Sequence, residues 1–314
     1  MRFGLQHPSF SFDGEGGQIF KTLTARARSA EEGGFDSFWL MDHLIMIPGA
    51  GRPEDPMPES WTTLSSLIGV TKKIRLGTLV TGNIYRNPAL LAKMGATVDV
   101  LSGGRLFMGV GAGWFEEEAK AYGIQYYDVP GRLKRLEEAL QIIRGMWTED
   151  GFFFEGKFYK VSKAICMPKP VQKPHPPIMI GGSGEKMLLR LVAKYGDACN
   201  LLRGNAAVVR HKLSVLKEHC RAVGRDYDEI LKTKLGHLII ATDGQEARSI
   251  AEAEGYTTDD LGKNYVICGT PHQVKKGIRE LEDAGIEYMI FNMPPKKEEA
   301  TLKQFAEEII PSFS

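Results

Sequence analysis

Three stretches of the chain combine residue types that can do chemistry with spacings that bring them to the ends of elements. Asp42-His43 closes a short apolar run. Histidine titrates near neutrality and a neighbouring carboxylate can set its charge and tautomer, so the pair suits proton transfer or hydrogen bonding to a heterocycle. A helix-capping Asp beside a packed His is the structural alternative. Gly181-Gly182-Ser183-Gly184 follows the apolar Pro177-Ile178-Met179-Ile180 and leads into a helical pattern opened by Glu185-Lys186. Glycines let backbone N–H groups approach a ligand without a Cβ in the way, and a helix start favours an anion such as phosphate. A tight strand-to-helix turn that binds nothing is the alternative. Gly109-x-Gly111-x-Gly113 has Trp114 where a dinucleotide fingerprint carries glycine, and no βαβ unit places an acidic residue on a ribose. Small residues there make room for a flat ring.

Other chemistries find no support. The histidines, His7, His43, His175, His211, His219, His237 and His272, include no His-x-x-x-His pair, so no metal site is expected. Gly182-Ser183-Gly184 lacks the frame of a serine nucleophile elbow, and nothing points to a glycosidase carboxylate pair. Cys166, Cys199, Cys220 and Cys268 are widely spaced, which argues for reduced thiols in the cytoplasm. With 40 basic and 39 acidic residues the net charge of +1 gives no electrostatic case for nucleic acid or an anionic membrane. No apolar run approaches the roughly 18 residues of a membrane span, and the N-terminus lacks a signal-peptide core. A small-molecule partner is expected.

The elements that must position these residues alternate. Arg2 to His7, Phe35 to Met41, Ile74 to Thr81, Arg105 to Gly111, Pro177 to Ile180, Asp197 to Leu202, Leu231 to Ala241 and Glu287 to Asn292 read as buried strands. Helical patterns fall between them, including Pro88 to Leu101 capped by Asn87, and Arg132 to Trp147 with an apolar stripe that belongs to the core. A glycine-rich turn is expected at Gly14, Gly16 and Gly17. Residues 149–177 break the period with a hairpin-like Phe152 to Tyr159 and a proline-held extended segment, an insertion before strand 5. Eight strands joined by helices over 314 residues predict a single α/β domain, a (β/α)8 TIM barrel spanning residues 1–314, with an open doubly wound sheet as competitor. In a barrel the functional residues collect at the C-terminal strand ends.

The motifs, taken in order, resemble the bacterial luciferase-like superfamily. They are Phe35-Asp36-Ser37-Phe38-Trp39-Leu40 with Asp42-His43, Ile74 to Thr81, Ser102-Gly103-Gly104-Arg105 with Gly109 to Trp114, Lys169 to Gln172, Pro176-Pro177-Ile178 and Gly181 to Gly184. Gly111 to Glu116 is similar to the branch that uses the deazaflavin coenzyme F420. The resemblance implies that Asp42, His43, Thr78, Leu79, Val80, Gly111, Ala112 and Gly113 lie about the cofactor ring, with His43 as proton acceptor. It implies a non-prolyl cis peptide around Leu79-Val80, and a phosphate loop at Gly181, Gly182, Ser183 and Gly184. The resemblance also implies a homodimer.

The sugar-phosphate dehydrogenases of the family carry glutamate where Trp114 stands and an aromatic residue where Ile47 stands. Trp114 transfers no proton. An apolar or aromatic substrate suits a pocket of His7, Trp114, Phe115 and Tyr126 better. The expected function is F420-dependent hydride transfer. The alternatives are an FMN-dependent luciferase-like monooxygenase using reduced flavin and oxygen, or a cofactor-binding protein without turnover.

Overall fold

A computed structural model describes residues 1–10, 18–262, 265–295 and 297–313. The glycine turn expected at Gly14, Gly16 and Gly17 lies outside these. Eight parallel strands form the barrel: β1 (Arg2–His7), β2 (Ser37–Leu40), β3 (Arg75–Thr78), β4 (Leu106–Gly111), β5 (Ile178–Gly181), β6 (Ala198–Leu201), β7 (Leu231–Ile240) and β8 (Tyr288–Asn292). Each pairs with the next, and β8 pairs back onto β1 with Arg2 opposite Tyr288, so the sheet closes. Closure leaves no edge among the barrel strands and buries both faces, which is why they read as continuous apolar runs.

The helices start where the sequence offers caps. α1 covers Gln18–Glu32 and α2 Ser60–Leu67. Asn87 accepts from the Ala89 amide at the start of α3 (Pro88–Leu101), and α4 follows at Glu116–Ala121. Asp128 accepts from the Gly131 amide at the start of α5 (Val129–Thr148). Each such side chain satisfies an amide left unpaired by the helix start. α5 packs on α3, where Trp147 donates from Nε1 to the Ala92 carbonyl at 2.7 Å. Between α5 and β5 lies an antiparallel hairpin of Phe152–Glu155 and Lys160–Ala164; the expected Phe152 to Tyr159 covers only its first strand and turn.

Two stretches depart from the expected pattern. The helix after the glycine loop, α6 (Leu188–Tyr195), begins three residues later than the expected Glu185 and has no side-chain cap, so the loop is longer than the sequence implied. After α7 (Ala206–Val223), β7 runs to ten residues. Its outer half pairs with an additional parallel strand, Val266–Gly269, reached through α8 (Gly244–Ala253) and α9 (Thr258–Gly262). That excursion precedes α10 (Pro271–Glu282), which Thr270 and Gln273 start with a capping box.

Inward-facing Trp39, Phe107, Met179, Tyr288 and Ile290 fill the barrel. Trp39 fits because Gly77 faces it; a Cβ there would come within 2.5 Å of the indole. The filled interior leaves the strands' C-terminal ends as the place where a cavity can open. No helix among the described residues is long and apolar enough to cross a membrane.

Candidate active site

A cavity of about 780 Å³ opens at those strand ends, and residues from or just after all eight strands line it. This volume is in the range of small-molecule and cofactor sites. On one side the chain leaves β2 through Asp42 and His43. His43 Nδ1 lies 3.0 Å from Glu118 Oε2, on α4, and the Glu118 side chain is fully buried. Glu118 Oε1 accepts from the backbone amides of Leu44 and Ile45, and Oε2 also accepts from the Tyr85 hydroxyl. Burial alone would raise the Glu118 carboxyl, but the hydrogen bonds from His43, Tyr85 and Leu44 outweigh it and hold the group below its ordinary value. Burial together with Glu118 pushes the Tyr85 phenol well up, so it remains a donor. An ionised carboxylate only accepts, so Nδ1 of neutral His43 carries the proton and Nε2 is left as the acceptor.

Asp42 is committed elsewhere. Arg86 grips its carboxylate with two bonds of 2.7 and 2.9 Å, Ser60 donates to it at 2.6 Å and the Gly82 amide at 3.2 Å. A bidentate pair of this kind fixes the chain in front of His43.

The adjoining wall, at the ends of β3, β4 and β5, is flat and apolar. The Leu79-Val80 peptide is cis, and Gln6 Nε2 donates to the Leu79 carbonyl at 2.7 Å. Val80 occupies the space that side chains at two neighbouring strand ends would take: a Cβ on Gly111 or on Gly181 would come within 2.8 Å of it. Trp114 is 55% exposed, stands edge to face with His43 at 5.7 Å and stacks on Phe115. Across the cavity, buried Asn200 Oδ1 and Asn292 Oδ1 have no hydrogen-bond partner. Buried acceptors of this kind call for a donor-bearing ligand edge. A flat wall cleared of Cβ atoms, two orphan acceptors and a glycine-rich corner together fit a planar heterocycle with a tail.

A family model described as luciferase-like monooxygenase matches residues 1–257. The chain belongs to the luciferase-like monooxygenase family. Among curated relatives of this luciferase-like protein is an F420-dependent glucose-6-phosphate dehydrogenase of Amycolatopsis mediterranei, 27% identical, with 93% of this chain and 94% of the relative aligned. Another is an FMNH2-dependent dimethylsulfone monooxygenase of Pseudomonas putida, 28% identical over 91% of this chain and 85% of the relative. The monooxygenase RslO1 of Streptomyces bottropensis shares the fold with a TM-score of 0.86, at 23% identity and with all of both chains covered.

Within this luciferase-like barrel, Asp42, His43, Leu79, Val80, Gly111, Ala112, Gly113, Trp114, Gly181 and Gly182 all line the cavity. Others expected there do not. His7 is fully buried on the outer side of β1, bonded to Glu298 and stacked over Phe38, because alternation along the strand turns Gln6 inward and His7 outward. Thr78 bonds to Thr81 and the Gly109 carbonyl, behind the wall. Phe115 packs behind Trp114, and Tyr126 supports it by donating its hydroxyl to the Trp114 carbonyl at 2.8 Å. At the glycine loop, the Gly182 amide is spent on the Asn200 carbonyl, and Ser183 and Gly184 stand outside the lining. Glu118, Tyr85, Asn200, Asn292 and a group around His237 were missed; for Gln6, the apolar outward Phe3 and Leu5 were a usable signal.

Proposed function

We propose that this luciferase-like protein is an oxidoreductase using coenzyme F420 for hydride transfer to or from a small, apolar or aromatic organic substrate. The observation that carries the reading is the Glu118–His43 pair on the cavity lining, beside an exposed indole; with Nδ1 held by the carboxylate, Nε2 is the nitrogen left to accept a proton. When bound, the deazaflavin supplies or accepts the hydride, and the protein contributes orientation and electrostatics. Leu79, Val80 and Ala112 would support its ring, and the charged tail would leave the cavity past Gly182 toward Ser183 and Gly184, which stand outside the lining. His43 takes or returns a proton at Nε2, and the buried Glu118 carboxylate stabilises the imidazolium that results. Trp114 covers the reacting end and keeps water from it.

FMN with oxygen is the second reading, favoured by the 28% identity to a relative named as FMNH2-dependent. We further propose a homodimer; exposed Leu90 and Leu101 on α3, with Ile165 and Met167 held alongside by the Lys93 ammonium on the Met167 carbonyl, offer an apolar contact.

Titration with each cofactor, followed by fluorescence, tests the assignment. F420 is expected to bind more tightly than FMN, and Ser183→Asp to weaken it about tenfold by placing a carboxylate beside the anionic tail. Ser183 is the better probe position, because Gly182 has a φ of 130° and a Cβ there would meet Leu188 at 2.7 Å. Tighter FMN binding with oxygen uptake on mixing with the reduced flavin would establish the second reading. Binding of neither cofactor sinks both.

A further inference from the structure

A second polar cluster stands on the cavity wall three strands round the rim from β2. His237 lies on β7, and Tyr256 and Tyr265 flank it from the excursion between β7 and β8. Tyr256 Oη lies 2.5 Å from His237 Nδ1, and Tyr265 Oη lies 3.0 Å from Nε2. Both phenol rings lie against the imidazole, with centroids 5.0 and 4.7 Å from it. Burial, reinforced by the charge of Lys234, pushes His237 down to about 4, while burial pushes both phenols up. All three groups are therefore neutral in the physiological range, although Arg203, Glu254 and Asp260 also face this end of the cavity.

Neutrality has a stoichiometric consequence. A neutral imidazole has one N–H and one lone pair, whereas the two phenols bring one O–H each. One phenol donates to the ring and the other accepts from it, so the second keeps an O–H that the cluster does not use. The lengths say which. Hydroxyl donors make shorter bonds than N–H donors, so the 2.5 Å contact is assigned to a donating hydroxyl and the 3.0 Å contact to N–H···O. Tyr256 thus donates to Nδ1, and Nε2–H donates to the Tyr265 oxygen. The Arg203 guanidinium lies 4.8 Å from the centroid of the Tyr265 ring, and its charge sharpens that phenol as a donor.

We propose that the Tyr265 hydroxyl, oriented by His237 and Tyr256, recognises a neutral acceptor oxygen, such as that of a ketone, ester or ether, on an otherwise apolar substrate. The proposal rests on the redox-site reading only in treating the occupant of this end of the cavity as the substrate. Tyr265 is a specificity residue, and His237 and Tyr256 position it. A neutral hydroxyl gives a carboxylate no charge pairing; Arg203, at the same end of the cavity, is the group a carboxylate would seek.

Calorimetric titration of the full chain, with and without F420, using acetophenone, ethylbenzene and benzoate, tests this. Acetophenone is expected to bind about tenfold more tightly than ethylbenzene, and Tyr265→Phe to erase that advantage while leaving ethylbenzene and F420 affinity unchanged. Equal affinity of acetophenone and ethylbenzene for the unaltered protein, or an acetophenone advantage that survives in Tyr265→Phe, would overturn the proposal; benzoate reports separately on Arg203. Failure of F420 to bind would remove the cofactor assignment and leave the comparison without cofactor intact. Nitrogen-15 NMR of the imidazoles gives an independent check: His237 is expected neutral, with its proton on Nε2, from pH 5.5 to 8 as an approximate window. Protonation within that window, or a proton on Nδ1, contradicts the assignment of the donor.

Discussion

Glu118 Oε2 lies 3.0 Å from His43 Nδ1, joining a carboxylate on α4 to a histidine 75 positions earlier in the chain. The pair fixes which nitrogen of a neutral His43 carries the proton, and so which one is left to accept from a ligand. Glu118→Gln keeps the volume but offers an amide that can donate as well as accept. Nitrogen-15 NMR of the variant is expected to show both His43 tautomers, and its stability to fall by about 1–3 kcal/mol through the lost charge-assisted bonds. A single, unchanged tautomer would remove Glu118 from the role assigned to it.

The same carboxylate sets an acid limit. Its folded-state value is held below the ordinary 4.5, so as pH falls below 4.5 the unfolded chain takes up the proton first. The stabilisation is present in full above that value and is lost as pH drops through the folded-state value. Melting temperatures between about pH 3 and 6 are expected to fall less steeply with acid in Glu118→Gln than in the unaltered protein. Some slope should remain, because hydrogen bonds from Thr62 and Arg86 outweigh burial at Glu59 and lower it too. Identical slopes in both proteins would count against the ionised state of Glu118.

Asp42 and Arg86 form a second buried pair, with side chains 0% and 11% exposed. Removing one partner strands the other charge in a poorly solvated place. Asp42→Asn is expected to cost about 3–5 kcal/mol in denaturant unfolding, well above a surface pair's 1 kcal/mol or less. A loss under about 1 kcal/mol would show that Glu59 and solvent suffice to hold Arg86.

His43→Gln tests the chemistry apart from the fold. The glutamine amide can still donate to the Glu118 carboxylate, so the loss of stability is expected to stay within about 1–3 kcal/mol, whereas turnover of a substrate, once one is found, should drop by about 10²- to 10⁴-fold. Turnover within a factor of about 3 would mean that water carries the proton.

The alternation of apolar runs and amphipathic stripes made all eight barrel strands legible, because each is a local pattern and both faces of a closed parallel sheet are buried. The Val266–Gly269 strand was not, since its pairing partner is the outer half of β7 and its sequence is short. In the site, the residues within motifs were visible, but those that act by long-range pairing were not. Glu116-Glu117-Glu118 looks like a solvated acidic run, and only the fold shows that the third glutamate turns inward to His43. His237 and its two tyrosines are likewise separated by 19 and 28 positions. His7 had a local signal: Phe3 and Leu5 share its face and pack against the helices.

Gly181 tests the flat wall. A Cβ there would come within 2.8 Å of Val80, so Gly181→Ala must displace that side chain from its place in the wall. Affinity for F420 is expected to fall about tenfold, with a stability change of about 1–3 kcal/mol. Unchanged affinity would mean that the ring does not lie against Val80.

The most direct measurement is a crystal structure of the protein saturated with F420. The deazaflavin ring is expected against Leu79, Val80 and Ala112, with Nε2 of His43 facing the reacting end and the tail at Ser183 and Gly184. A ring bound away from these strand ends, or a cavity filled by the protein's own side chains, would contradict the account.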